Sequence, residues 1–168
     1  MLGYPWPQNL PSSPNKTTFF RGGETAGYEH LTDYFDQPYA QTYKATRNEL
    51  DRLEASTKFS PWLANGSLSP RTIYWAVKDY EKEIQKNSST YWLVFELIWR
   101  DYFKYVSLKH GNALFQLGGI LKKSYQWKTD PTLFVDWANG HTPEPFVNAN
   151  MIELQKTGWM SNRGRQNV

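Results

Sequence analysis

From Pro70 onward the chain places Ile73, Ala76, Val77, Tyr80 and Ile84 at intervals of three and four, with charged residues between them. That spacing predicts an α-helix with one apolar face. Ser69-Pro70 and Ser60-Pro61 each pair a capping hydroxyl with a proline suited to the first helical position, and Asn65-Gly66 separates the two starts as a turn. Asn87-Ser88-Ser89 ends the helix from Pro70, and Thr90 is placed to cap the next. Residues 91–109, YWLVFELIWRDYFKYVSLK, are the most apolar stretch and lack breakers, so a buried helix is predicted there. Gly111, Gly118 and Gly119 mark loops. Asp130-Pro131 opens a helix closed by Gly140, Pro145 opens another closed by Gly158, and Asn162 to Val168 reads as the start of an element that the chain does not finish.

The N-terminal part reads differently. Pro5, Pro7, Pro11 and Pro14 precede Gly22-Gly23, which predicts an irregular arm over residues 1–23. An amphipathic segment runs from about Glu24 to Phe35, Pro38 breaks it, and a polar stretch continues to Ala55. Residues 24–168 then form a single helical region. No internal repeat and no strand-like alternation are present, so the expected fold class is all-α.

Composition narrows the chemistry. The 168 residues contain no cysteine, which removes disulfides and thiolate chemistry together. His30, His110 and His141 have no metal-ligand spacing, so no metal site is expected. No apolar run reaches the length of a membrane helix, and the N-terminus lacks a secretory pattern, which suggests an intracellular protein of open compartment. The net charge of +3 is compatible with a polyanionic partner. Aromatic residues make up 17% of the chain, including 8 Trp. Some of these rings pack; others are candidates for stacking on flat ligands or carrying electrons.

Three clusters carry candidate chemistry. Ser56, Thr57, Lys58, Phe59 and Ser60 bring three hydroxyls and an ammonium to a predicted helix mouth, where backbone N–H groups lack internal partners and phosphate binds well. An ordinary capped helix has the same pattern. Glu96 and Arg100 lie four residues apart in the most apolar segment, on a face with Trp92, Trp99 and Phe103. This predicts either an i, i+4 ion pair or the wall of a ligand cavity with Trp99 as a stacking surface. Trp159 to Asn167 combines Asn162, Arg163, Arg165 and Gln166, a set suited to phosphate clamping and base-edge hydrogen bonding, or else a solvated tail.

These residues carry a resemblance. RGGET at 21–25, YKATRN at 43–48, STKFSPWLANGSLSPR at 56–71, YWLVFELIWRD at 91–101 and TGWMSNRGRQN at 157–167 resemble, in order, the FAD-binding region of the photolyase/cryptochrome family. The forms YWLVFE and NRGRQN are similar to the DASH cryptochrome branch. The resemblance implies a helical FAD-binding domain, truncated at both ends, without the family's α/β antenna domain and the C-terminal part of the FAD domain, and with its antenna pigment unknown. It implies a blue-light flavoprotein in which reduced FAD passes an electron to a cyclobutane pyrimidine dimer that is flipped out of the strand and splits, and the DASH branch is associated with dimers in single-stranded DNA. No membrane or protein partner follows from it.

Residue by residue, the resemblance assigns Tyr43, Ser56, Thr57, Lys58, Phe59 and Ser60 to the surroundings of FAD and its phosphates. Glu96, Trp99 and Arg100 match the lining of the flavin and dimer cavity, with the carboxylate hydrogen-bonding the dimer and the indole packing on it. Asn162 and Arg165 match residues near the flavin. Arg47 and Arg163 match DNA-side positions, Gln166 a dimer contact, and Trp127 the outermost tryptophan of the chain that reduces the flavin. The sequence departs from the family at Thr142-Pro143-Glu144-Pro145 and at Asn148, where Asp is usual. A blue-light signalling flavoprotein without efficient repair and a cofactor-free helical DNA-binding piece are the two rival readings.

Overall fold

The computed structural model describes residues 20–50, 52–126 and 128–168. The described helices are α1 (Glu24–Asp36), α2 (Tyr39–Thr46), α3 (Ser60–Asn65), α4 (Pro70–Glu83), α5 (Ser88–His110), α6 (Pro131–Asn139), α7 (Pro145–Thr157) and α8 (Asn162–Arg165), with 3-10 turns at Leu53–Ala55 and Gly111–Phe115. The described residues contain no strand, as the all-α expectation requires. None of their helices is long and apolar enough to cross a membrane. They form two compact units, residues 20–131 and 132–168. Most of the expected irregular arm, and Trp127, lie outside the described residues.

In the first unit, Leu31, Tyr34, Ala40, Tyr43, Phe59, Trp62, Leu68, Ile73, Val77, Tyr80 and Leu93 make one buried cluster. Each helix contributes by its own periodicity. Ile73, Val77 and Tyr80 of α4 fall at four- and three-residue steps and are all buried. Ser69 caps α4 by accepting from Arg71 N, with Pro70 leading the helix as the sequence predicts. Ile84, at the far end, is instead exposed. Gly27 allows α1 to lie against Trp62: an added Cβ would stand 3.0 Å from its ring.

Three expectations need correction. Ser60 does not cap α3; Phe59 takes that position without a side-chain cap, and Ser60 is the first helical residue. The cause is local: Lys58 adopts φ 52, and the chain re-enters the helical region one residue early. The capping of α5 is also shifted by three. Asn87 is the N-cap, accepting from Ser89 N and Thr90 N, while Thr90 Oγ1 accepts in return from Asn87 N.

The third correction concerns burial. α5 is continuous over 23 residues, but only Ser89, Thr90 and Leu93 are buried. Ile98, Trp99, Tyr102, Phe103, Tyr105 and Leu108 are exposed. The polar stretch after Pro38 also hides α2, whose buried residues are only Ala40 and Tyr43.

In the second unit, α6 and α7 end where predicted, at Gly140 (φ 70) and Gly158 (φ 73). Gly140 is required twice over. Its backbone is left-handed, and a Cβ there would meet Asn148 O and Ile152 Cγ1 at 2.9 Å. The turn into α7 is closed by Asn148. Its Oδ1 accepts from Thr142 N (2.8 Å) and Thr142 Oγ1 (2.7 Å), and its Nδ2 donates to Thr142 O (2.7 Å). The Nδ2 bond needs an amide, since an ionised Asp has no donor to offer a carbonyl. The unusual Asn148 therefore fits its unusual turn.

Candidate functional site

The segment 56–60 is held from three sides. Thr46 Oγ1 donates to Ala55 O (2.9 Å), just before it. His30 Nε2 donates to Thr57 O (2.8 Å), with the imidazole stacked on Trp62 at 5.0 Å. The Phe59 side chain is committed to the buried cluster. With the backbone fixed, the hydroxyls of Ser56, Thr57 and Ser60 have no partner among the described residues. α3 has only six residues, so its own dipole adds little at this end.

Arg100, on α5, leans toward the same short helix: its Nη2 donates to Leu63 O at 3.4 Å, and its Nη1 pairs with the neighbouring Asp101 at 3.2 Å. The i, i+4 pair with Glu96 does not form. Trp99, the preceding residue of α5, is 41% exposed, edge-on to Phe95 and stacked on Phe103 at 5.6 Å.

Glu96 finds its partner across the helix seam. Arg47 Nη1 donates to Glu96 Oε1 at 2.6 Å, and Trp92 Nε1 donates to the same oxygen at 3.1 Å. Both charged side chains are partly covered, at 25% and 35% exposure. Oε2 has no partner among the described residues. Two cations lie near the Trp92 ring, with the Arg47 guanidinium carbon 5.2 Å and Lys44 Nζ 5.0 Å from its centre. Tyr43 lies under this group. Burial pushes its phenol well above the ordinary tyrosine range, the Glu96 carboxylate adds to the rise, and Arg47 opposes it, so Tyr43 is a neutral hydroxyl.

The second unit carries the other predicted residues. Ser161 Oγ caps α8 by accepting from Gly164 N at 2.9 Å. Arg165 Nε donates to Met160 O (3.2 Å), and Arg163 Nη1 donates to Gln166 Oε1 (2.9 Å), so the two predicted DNA-facing side chains hold each other. Asn162 is exposed, with no side-chain partner among the described residues. Gly164 is buried against Asn150, where a Cβ would fall 2.1 Å from Oδ1. The small residue is what lets α8 pack there.

Tyr43, Glu96 and Arg100 stand out as site candidates in the sequence, whereas Trp92 and His30 carry no assigned role there. Trp92 was detectable, being one turn before Glu96. His30 was not, since nothing local to it predicts a bond to a carbonyl 27 residues away. No group of His, Asp and Glu able to hold a metal occurs among the described residues.

The described residues thus carry an exposed indole, a guanidinium bonded to a neighbouring helix and hydroxyls without a partner among them, on an all-helical scaffold. Residues 92–168 match the FAD binding domain of DNA photolyase. The chain is 55% identical over 150 residues to a cryptochrome DASH of Synechocystis, covering 89% of this chain and 31% of that protein. It is 55% identical over 150 residues to a chloroplastic/mitochondrial cryptochrome DASH of Solanum lycopersicum, covering 89% of this chain and 26% of that one.

Among solved structures, a Synechocystis cryptochrome superimposes with a TM-score of 0.88 at 51% identity, over 95% of this chain and 33% of that one. A class III photolyase from Agrobacterium tumefaciens does so with a TM-score of 0.77 at 26% identity, over 88% of this chain and 30% of that one. The chain thus spans about a third of the length of these relatives. It belongs to the photolyase/cryptochrome family, in the DASH branch, and FAD is the cofactor of its domain.

Proposed function

We propose that the complete protein uses FAD and blue light to split cyclobutane pyrimidine dimers in single-stranded DNA. The observation that carries this reading is the Glu96 carboxylate, held at Oε1 by Arg47 and Trp92 with Oε2 open. Bound FAD would supply light absorption and the electron. The residues of this chain fit it by donor chemistry: the hydroxyls of Ser56, Thr57 and Ser60 and the backbone of 56–60 suit a diphosphate, and Arg100 and the neutral Tyr43 suit polar edges of the cofactor. Lys58 and Phe59 serve through their backbone positions, the phenyl ring being buried.

Glu96 Oε2 would accept hydrogen bonds from pyrimidine N–H groups, and Trp99 would pack on the linked bases and exclude water. Asn162 and Arg165 are the flavin-side candidates of the second unit; Arg163 and Gln166 are its DNA and dimer contacts. Trp127 is the candidate donor that re-reduces an oxidised flavin. Trp127→Phe then slows light-driven flavin reduction and spares repair begun from chemically reduced flavin.

The decisive experiment is illumination of the complete, flavin-loaded protein with an oligo-thymidine strand containing dimers, and with the same lesion in a duplex. Light-dependent loss of dimers, faster in the single strand, is expected. Flavin photochemistry without dimer loss would replace the repair reading with photoreception. Absence of flavin after expression would leave a helical DNA-binding protein.

A further inference from the structure

We propose that Arg47 and Trp92 are positioning residues for Glu96: together they fix its carboxylate so that Oε2 is the oxygen presented to the lesion. This rests on the reading of Glu96 as the dimer-facing group. It also gives Arg47 a role different from the DNA-side one that the resemblance implied.

The terminal torsion of a glutamate is broad, so an isolated carboxylate does not hold its plane in one orientation toward a ligand. Here two donors converge on one oxygen. Arg47 Nη1 approaches at 2.6 Å from α2, and Trp92 Nε1 at 3.1 Å from the preceding turn of α5. Neither donor is free to wander. The Arg47 guanidinium carbon and Lys44 Nζ lie 5.2 and 5.0 Å from the centre of the indole, cation–π contacts that favour this placement of the ring. α2 is in turn stitched to the start of α5: Lys44 N donates to Ser89 Oγ (3.1 Å), and Asn87 Nδ2 donates to Gln41 O (3.0 Å). Arg47 follows directly on α2, its N–H donating to Tyr43 O at 2.9 Å, so the helix seam places its backbone, while the Glu96 bond and the Trp92 ring hold its guanidinium. The result is an acceptor aimed by structure in place of one that must be ordered on binding, and such pre-organisation improves both recognition and yield.

The two roles for Arg47 separate cleanly by salt dependence. A cation that touches a phosphate weakens binding to every strand when removed and lowers the salt slope by about 0.7 on single strands. A positioning residue changes only what Glu96 does. The test uses the complete flavin-loaded protein and two oligo-thymidine strands, one with a single dimer. Dissociation constants are measured in the dark across salt, and dimers split per absorbed photon in the light, for R47Q, R47K, W92F, E96Q and the R47Q/E96Q double variant.

We expect R47Q to lower the preference for the damaged strand about tenfold, the loss of one charged hydrogen bond, and to lower the photon yield with it. Affinity for the undamaged strand and its salt slope stay as in the wild type. R47K recovers part of the loss. W92F shows a smaller loss of the same kind, and the double variant is no worse than E96Q. Equal weakening of both strands with a reduced salt slope, or additive losses in the double variant, would overturn the proposal. If E96Q is impaired while R47Q and W92F behave as wild type, only the positioning role fails. If E96Q itself behaves as wild type, the reading of Glu96 fails first. Should R47Q not fold, R47K and W92F decide by the same criteria.

Discussion

Arg47 and Glu96 are 49 residues apart in sequence, yet Nη1 and Oε1 stand 2.6 Å apart, joining the residue after α2 to the middle of α5. A half-covered, charge-assisted bond of this kind contributes about 1.5–3 kcal/mol. The pair also restricts how Glu96 can act, because it occupies one carboxylate oxygen and leaves the other.

Glu96→Ala removes that remaining acceptor. In the complete protein it should cut dimer repair by at least about tenfold while flavin content stays within about twofold of the wild type. Repair yield and bound-flavin absorbance, measured on the same preparation, check this. Equal yields in the variant and the wild type would remove Glu96 from the reaction.

Asn87 both caps α5 and ties it to α2 through Gln41 O at 3.0 Å. Asn87→Ala loses the cap, worth about 1 kcal/mol, and the tie, worth about 1 kcal/mol more. Urea unfolding should show a lower midpoint with an unchanged m-value. An unaltered midpoint would show that the seam between these helices is held elsewhere.

Gly164→Ala places a methyl 2.1 Å from Asn150 Oδ1 and 3.0 Å from Met160 Cγ. Asn150 is not free to swing, since its Nδ2 donates to Phe146 O at 2.8 Å. Overpacking of this kind costs about 1–3 kcal/mol. Gly22→Ala is the control, because nothing lies within 4 Å of a Cβ there. Thermal unfolding should separate the two variants clearly.

Glu81 gives stability an acid limb. Its side chain is only 7% exposed, and burial alone would raise its pKa. Hydrogen bonds from Lys78 and Thr90, with the charges of Lys78 and Lys86, outweigh that and hold it below the ordinary glutamate range. The folded value lies below the unfolded one, so this contribution is complete above about pH 4.3 and is lost as pH falls through the folded value. Glu81→Gln should lower stability at pH 7 and flatten its decline in acid, as read by denaturation at a series of pH values. Parallel curves for variant and wild type would exclude the effect.

Local chemistry explains which parts were legible in the sequence. α4, α6 and α7 announce themselves by proline at the start and, for the latter two, glycine at the end, signals that act within a few residues. α2 was hidden because YAQTYKAT has only two buried residues. Its order comes from tertiary bonds, Gln41 Nε2 to Tyr80 Oη (3.0 Å) and Lys44 N to Ser89 Oγ (3.1 Å). The same distance in sequence concealed the partner of Glu96. Spacing suggested Arg100, four residues on, but that guanidinium reaches Leu63 O, and Arg47 takes its place. For α5, hydropathy reported apolar side chains correctly but could not report what covers them.

Thr46 and Arg47 are consecutive residues at the end of one short helix. The hydroxyl of Thr46 fastens Ala55 O, next to the hydroxyl-bearing stretch, and the guanidinium of Arg47 fastens Glu96. A slight roll of α2 therefore displaces both attachments at once. The 56–60 segment and the Glu96 carboxylate share a single mechanical pivot, and a mutation that moves α2 reaches both.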